Sequence, residues 1–149
     1  MRINRHRRES VGGENHIILP GAAQRGVKSV EEVLFERRSI REYSPEAISL
    51  AELAQLLWSA QGVTGADGFR TAPSAGALYP LEVYAVAGKV EGINEGIYKY
   101  HSSSHTLERI FEGGAREQLA RAALDQDCVK QAPLVLVIAA VYERITRKY

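Results

Sequence analysis

A chain of 149 residues fits a single domain, because globular domains most often run to about 100–150 residues. Hydrophobic residues make up 45% of the chain and charged residues 25%, the balance of an ordinary soluble protein with enough apolar material for a core. The formal net charge of +1 argues against a protein that binds nucleic acid through a wholly basic surface, so we expect no nucleic-acid partner and, at most, a local anion site.

Residues 1–28 predict a loosely ordered lead-in to a domain that covers residues 29–149. The lead-in contains two glycine-bearing turns and a basic cluster, which consists of Arg2, Arg5, Arg7 and Arg8. Such a cluster is either a solvated tail or a contact for an acidic partner or RNA. No apolar stretch here resembles a signal peptide.

Two helices are predicted from capping boxes, in which a serine and a glutamate three residues later satisfy each other's backbone donors. The first begins at Ser29 with Glu32, and the second at Ser49 with Glu52. The first presents an apolar face of Val30, Val33 and Leu34 at helical spacing, and the second a buried stripe of Leu50, Leu53, Leu56 and Leu57. Gly62 is the expected stop of the second helix.

The rest of the chain mixes strands with one further helix. Alternation predicts a strand over 81–87 and a hairpin that pairs 96–100 with 106–110. Residues 114–127 suit a helix with Leu119, Ala120, Ala123 and Leu124 on one side. The unbroken apolar run 134–141 predicts a strand covered on both faces. Together these elements predict an α+β fold.

The apolar run that ends at Tyr142 is too short to cross a bilayer as a helix, which takes about 20 residues. The single cysteine, Cys128, cannot form an internal disulfide and fits a reducing compartment. We therefore expect a cytoplasmic protein without a membrane partner.

The first candidate for chemistry is an arginine-rich segment, residues 37–41, at the end of the first helix. Its three guanidinium groups and one hydroxyl, from Arg37, Arg38, Arg41 and Ser39, can hold a phosphate through charge-assisted and bidentate hydrogen bonds. The alternative is that these arginines complement the negative end of the helix dipole and pair with neighbouring glutamates. Both interpretations stay open from composition.

The second candidate is the segment 70–80, which reads RTAPSAGALYP. Its small residues let the backbone approach a flat ligand closely, Ser74 adds a hydroxyl, and Pro73 and Pro80 stiffen the ends. The alternative is a plain connecting loop. The segment lacks the glycine patterns of nucleotide-binding loops and the frame of a hydrolase nucleophile, and the pair His101 and His105 has no third ligand in view, so no metal site is expected.

Together these segments resemble the nitroreductase family. Three segments follow one another as they do in that family: RRSIREY, LLWSAQG and RTAPSAGALYPLEVY. More narrowly, they resemble the SagB-type dehydrogenases, which include oxidases that convert azolines to azoles in modified peptides. The hairpin GIYKYHSSSHTLERI and the final VYERITRKY match the subgroup too. The resemblance covers residues 17–149.

The resemblance implies a nitroreductase-like mixed sheet flanked by helices, with FMN bound at a homodimer interface. Electrons would pass through FMN between NAD(P)H or a peptide azoline and an acceptor, and the substrate would be a small molecule or a modified peptide. Carried over, the FMN phosphate and ribitol contacts would be Arg37, Arg38 and Ser39 with Arg41 nearby, and the isoalloxazine contacts Pro73, Ser74, Ala75 and Gly76, with Arg70 as a further contact of the same site. The pair Lys148 and Tyr149 matches a short pattern associated with substrate oxidation in the azoline branch, and no dedicated side-chain acid is implied.

A complete family member continues beyond the final lysine and tyrosine with a Gly-Arg-Gly-type stretch, a long core helix and a segment that crosses to the partner. The resemblance therefore implies that the chain is truncated at its C-terminus, leaving helix faces without their cover. Three alternatives remain open. The chain would act as a homodimer, or as half of a split enzyme that a complementing chain completes, or as a non-catalytic scaffold that serves as a binding partner.

Overall fold

The computed structural model describes residues 15–148, so the basic cluster of the lead-in and Tyr149 lie outside the described residues. The strands are β1 (His16–Ile18), β2 (Leu81–Ala87), β3 (Gly96–His101), β4 (Thr106–Glu112) and β5 (Leu134–Ala140). The helices are α1 (Val30–Glu36), α2 (Leu50–Gln61), α3 (Arg116–Ala122), α4 (Asp127–Gln131) and α5 (Glu143–Thr146), with a 3-10 turn at Ala75–Ala77. Within this part of the chain, none of the helices combines the length and the apolar character that crossing a bilayer requires.

The strands form one sheet in the order β1-β4-β3-β2-β5, and all four neighbouring pairs are antiparallel. The expected mixture of helices and strands is confirmed, as are the strand 81–87 and the hairpin, whose two strands extend by one and two residues beyond the expected bounds. β2 lies between β3 and the edge strand β5, so the loop that precedes β2 leads into an interior strand of the sheet.

The core lies between one face of the sheet and α2. Val83 and Ala85 of β2 alternate inward, and Tyr98 of β3 is buried beside them with its hydroxyl donating to the Asn94 carbonyl at 2.8 Å. Leu53 and Leu57 of α2 are fully buried against this face. Fully burying one such leucine stabilises a fold by about 1.5–3 kcal/mol, so these contacts fix α2 on the sheet.

Both helix starts are confirmed, and the second helix ends where expected. Ser49 and Glu52 form the complete capping box of α2, and Gly62 is its C-cap. The glycine is needed for space and not for a left-handed backbone, because a Cβ here would lie 2.1 Å from the Trp58 ring. The prediction for Leu56 is wrong: it is 48% exposed, because the buried stripe runs through positions 53, 54, 57 and 61 instead.

Helix α1 has its capping box, from Ser29 and Glu32, but buries none of its residues. Its predicted apolar face exists and is uncovered: Val33 is 52% exposed and Leu34 69%, and Phe35 beside them is 80% exposed. We call this surface of residues 30–35 the α1 apolar face.

The helix expected over 114–127 is interrupted. The chain ends α3 at Ala122, turns through Leu124 and Asp125 with positive φ angles of 61° and 56°, and begins α4 at Asp127. The Asp125 amide donates to the Ala120 carbonyl at 2.8 Å, which is a helix-ending hydrogen bond of the Schellman type. Leu124, expected on the buried side, is 90% exposed because the turn points it outward.

Strand β5 lies at an edge of the described sheet and pairs with β2 alone. Its first four residues are half-buried and its last three, Ile138 to Ala140, are exposed. The expectation of a strand covered on both faces is therefore wrong for the described residues, because a continuous apolar run does not reveal which elements pack against it.

Candidate functional site

The loop between α2 and β2 folds into a tight, specific shape. The Ser74 hydroxyl accepts a hydrogen bond from the Tyr79 amide at 2.9 Å, which closes the loop around the 3-10 turn. Three residues here have positive φ angles: Gly76 at 60°, Ala77 at 53° and Tyr79 at 43°. Such angles are uncommon for residues with a side chain, and they gather at sites where the surrounding structure holds the backbone in place.

This loop borders a cavity of about 260 Å³, which we call the ring cavity. Pro73, Ser74 and Ala75 line it, and the remaining walls are Gln61, Tyr79, Pro80, Leu81 and Ile145. The structure thus brings three of the four expected isoalloxazine contacts onto one largely apolar surface, with Gly76 next in the chain. Small side chains on such a wall leave room for a flat ring.

A second cavity, of about 170 Å³, adjoins the first, since Gln61 and Leu81 line both. We call it the polar cavity. Its charged and polar walls are Arg70, Glu82, Lys99, Tyr100, His101 and Arg144. Burial raises the pKa of the Tyr100 phenol to about 12, against a smaller opposing effect of the Arg70 charge, so this hydroxyl stays protonated at neutral pH.

Arg70 lines the polar cavity and contacts two residues, Tyr79 and Gln61, that line the ring cavity. Its guanidinium carbon lies 4.5 Å from the centre of the Tyr79 ring, a cation–π contact, and its Nη1 donates to the Gln61 side-chain oxygen at 3.2 Å. Gln61 is only 5% exposed, so this hydrogen bond holds the arginine from a buried, well-ordered position. The Nε of Arg70 is buried and has no hydrogen-bond partner among residues 15–148.

Glu82 organises the cations of the polar cavity. Lys99 pairs with it at 2.8 Å, Arg144 pairs with it closely, and the Tyr84 hydroxyl donates to it at 3.0 Å. The Lys99 hydrogen bond, helped by Arg144 and Tyr84 and opposed by burial, lowers the pKa of Glu82 to about 2. The same hydrogen bond raises the pKa of Lys99, so both groups are charged at neutral pH.

Arg144 also connects α5 to the loop. Its Nη1 donates to the Tyr79 carbonyl at 3.0 Å, while its Nη2 contacts Glu82. The side chain therefore joins the strand that carries Glu82 to the wall of the ring cavity.

The arginine-rich segment lies elsewhere on the surface, and neither cavity is lined by residues 37–41. The Arg38 Nη1 donates to the carbonyls of Phe35, at 2.8 Å, and Arg37, at 2.9 Å, so this side chain contacts carbonyl groups at the end of α1. Arg37, Ser39 and Arg41 are exposed and make no side-chain hydrogen bond or ion pair within residues 15–148.

The weaker candidates are placed as follows. Lys148 lies in the turn after α5, and Tyr149 lies outside the described residues. The His105 ring bridges the Tyr100 hydroxyl and the Pro20 carbonyl, each at 2.8 Å, and the His101 Nε2 contacts Glu108 at 2.8 Å. Across residues 15–148 no group of three or more His, Cys, Asp or Glu side chains is arranged to hold a metal.

Sequence reasoning missed Gln61, Glu82 and Arg144 as parts of this site. Glu82 alternates with the buried positions of β2, so it could have been placed on the sheet face opposite the core, near Lys99 of the neighbouring strand. The sequence around Arg144 gives no signal of a site, because Arg144 comes to line the polar cavity only when the chain is folded.

Comparisons with known proteins identify the family of the chain. Residues 34–149 match the model of the Nitroreductase family. The chain is 49% identical over 120 residues to the "Putative nitroreductase MJ1384" of Methanocaldococcus jannaschii, which covers 80% of this chain and 61% of that protein. The chain thus spans less than two thirds of the length of this relative.

Solved structures give the same result for the fold. A crystal structure of a Ralstonia eutropha protein with the same designation has a TM-score of 0.72 at 31% identity, covering 91% of this chain and 60% of that one. An Anabaena variabilis counterpart has a TM-score of 0.62 at 26% identity, covering 74% of this chain and 23% of that one. A chain of the E. coli microcin synthetase McbBCD complex, with truncated pro-MccB17 bound, shares the fold with a TM-score of 0.55 at 23% identity. The match covers 89% of this chain and 53% of that one. The nitroreductase-like α+β fold is confirmed.

Proposed function

The chain belongs to the nitroreductase family, and from that premise we propose that it is an FMN-dependent oxidoreductase. Electrons would pass through bound FMN between NAD(P)H or a peptide azoline and an acceptor. The peptide substrate and the SagB-type subgroup are proposed from the sequence motifs, including the hairpin GIYKYHSSSHTLERI and the final VYERITRKY.

The observation that carries this proposal is the ring cavity. Its walls fit a flat heteroaromatic ring, because Pro73, Ser74 and Ala75 are small and the positive φ angle of Gly76 turns the backbone close to the surface. The Ser74 hydroxyl accepts the Tyr79 amide, so its position is set before any ligand arrives. A preformed wall of this kind orients a ring without a cost in loop ordering.

The arginine-rich segment supports the phosphate part of the proposal. Arg37 and Arg41 are exposed and have no carboxylate partner within the described residues, so their donors are open to a phosphate. Arg38 is partly occupied by helix carbonyls, and binding phosphate would draw one guanidinium edge away from them. Arg37 and Arg41 therefore carry the stronger assignment, with Ser39 between them as a hydroxyl donor.

When bound, FMN supplies the redox chemistry, and the residues of this chain hold and surround it. Pro73 and Ala75 exclude water from one face of the ring. Arg144 fixes the Tyr79 carbonyl and thereby the shape of the loop, while Glu82 neutralises that guanidinium. The proposed reaction does not require a dedicated side-chain acid from this chain.

We further propose that the site is completed by a second copy of the chain or by a complementing chain. The arginine-rich segment and the ring cavity do not share a pocket in one chain, although FMN is proposed to contact both. The α1 apolar face, which leads directly into the arginine-rich segment, is uncovered.

The same uncovered face favours the second candidate function, a non-catalytic scaffold that docks a partner. The two functions separate in one experiment: the purified chain is mixed with FMN, excess flavin is removed, and the visible spectrum is recorded, followed by NAD(P)H oxidation. Retained flavin bands with turnover are expected for the oxidoreductase. A protein that associates with itself, and so has the second copy that could complete the site, yet stays colourless would contradict a flavin site completed by a second copy and favour the scaffold.

A further inference from the structure

The polar cavity carries more positive charge than its one carboxylate can balance. Three cations line it, Arg70, Lys99 and Arg144, against Glu82, which leaves a net charge of +2 with His101 neutral. Glu82 is occupied by Lys99, Arg144 and Tyr84, so its oxygens are not available to Arg70. A partly enclosed site with this excess of positive charge attracts an anion.

Arg70 is the group with unused binding capacity. A guanidinium has five N–H donors, and the hydrogen bond that this one makes within residues 15–148 uses a single one of them, toward Gln61. Its Nε is buried without a partner among residues 15–148, and a buried donor left in this state is energetically unfavourable. The Tyr79 ring and the Gln61 amide hold the fork in place, so little side-chain freedom is lost when a ligand binds.

The position of this site beside the ring cavity suggests what it binds. Gln61 and Leu81 line both cavities, so a molecule held in the polar cavity reaches the edge of the proposed flavin site. We infer that the polar cavity binds an anionic group, a carboxylate or a phosphate, of the molecule that exchanges electrons with the flavin, and that Arg70 is its principal contact. That this molecule exchanges electrons with the flavin rests on the proposed function. That its anionic group binds in the polar cavity rests on the unused donors of Arg70.

Trp58 provides the readout for a test. It is the single tryptophan of the chain, and its Nε1 donates to the carbonyl of Val63, the bridge partner of Arg70. Its fluorescence would be followed during titrations with sodium acetate and with inorganic phosphate at constant ionic strength. The full chain is used, with and without FMN.

We expect a saturable change with at least one probe, and the tighter probe identifies the carboxylate or the phosphate as the preferred group. Arg70→Gln should weaken this binding by about tenfold or more, the effect of losing a charge-assisted hydrogen bond. Arg121→Gln, at an exposed position of α3 outside both cavities, is the matched control and should leave the affinity unchanged. Flavin retention should be unchanged in Arg121→Gln, and flavin that is retained by Arg70→Gln while its anion binding weakens would assign Arg70 to the anion and not to FMN.

A second variant, Lys99→Gln, serves if Arg70→Gln does not fold. It removes one cation of the polar cavity at a partly exposed position of β3 and should weaken anion binding a few-fold. Absence of saturation with both probes, or unchanged affinity in the folded cavity variants, would overturn the inference. So would loss of flavin together with anion binding in Arg70→Gln, since the cavity would then hold the phosphate of FMN itself. Anion binding without flavin retention in the unaltered chain would overturn the proposed function instead and leave the cavity as an anion site.

Discussion

Replacing Glu82 with Gln tests whether this carboxylate holds the site together. The variant keeps the size of the side chain and removes its charge, so Lys99 and Arg144 lose their counterion. Lowering a pKa from 4.5 to about 2 corresponds to about 3 kcal/mol of interaction, at about 1.4 kcal/mol for each pKa unit. Because Lys99 is 30% exposed and Arg144 40%, solvent screening reduces this figure, and we expect about 2 kcal/mol of destabilisation at pH 7.

The pH dependence gives the sign of the effect. The pKa of Glu82 is lower in the folded chain than in the unfolded chain, so the unfolded state binds more protons between about pH 2 and pH 4.5. The stabilisation is therefore fully present above pH 4.5 and is lost as the pH falls toward 2. The difference in unfolding free energy between the unaltered chain and Glu82→Gln should be constant from pH 7 to pH 5 and should shrink below that range.

Urea unfolding followed by Trp58 fluorescence measures this difference between pH 7 and pH 3. Glu117→Gln is the control, because Glu117 forms an ion pair with Lys130 at 3.2 Å in which both side chains are at least half exposed. Such a surface pair contributes about 0.2–1 kcal/mol at most. A Glu82→Gln effect no larger than the control, or one that stays constant down to pH 3, would refute the reasoning.

Three further substitutions examine separate parts of the molecule. Replacing both Arg37 and Arg38 with Ala should weaken FMN binding by about 1.5–3 kcal/mol for each lost charge-assisted hydrogen bond, measured by flavin titration, and unchanged affinity would remove the phosphate assignment. Gly62→Ala should destabilise the fold by about 1–3 kcal/mol in urea unfolding, because the new Cβ would meet the Trp58 ring, whereas Gly21→Ala, with open space around it, should have little effect. Ser49→Ala should lower stability by about 1 kcal/mol through loss of the α2 cap, and a neutral result would indicate that packing alone sets where the helix begins.

Features that depend on a few neighbouring residues were predictable from the sequence. The capping boxes at Ser29 and Ser49 and the pattern that predicts strand β2 are local signals, and the structure confirms both helix starts and the strand. Burial was less predictable, because it depends on which element packs where. Leu56 and Leu124 have suitable spacing for a buried stripe and yet are exposed, the first because α2 turns a different side to the sheet and the second because a left-handed turn ends α3 early.

The candidate site likewise has a part that local sequence predicts and a part that depends on the fold. The segment that carries Ser74 is contiguous and could be predicted, and the structure places it on a cavity. Arg144 lines the polar cavity and contacts Glu82, 62 residues away in sequence, and Tyr79, 65 residues away, which forms a wall of the ring cavity. These contacts exist only once β2 and β5 are paired. No spacing rule connects residues so far apart, so this part of the site required the fold.

The α1 apolar face has a thermodynamic consequence for flavin binding. A helix of seven residues is marginal in water unless something covers it, and none of the α1 side chains is buried by the part of the chain that the structure describes. Arg37 follows the last residue of α1, so the proposed phosphate contacts are held in place only when this helix is folded. Any chain that covers Leu34 and Phe35 would stabilise α1 and thereby favour FMN binding, and by reciprocity FMN would favour association. If a second copy provides the cover, flavin affinity should rise with protein concentration and Phe35→Ser should abolish that rise, whereas an affinity independent of concentration would assign the cover to a different chain.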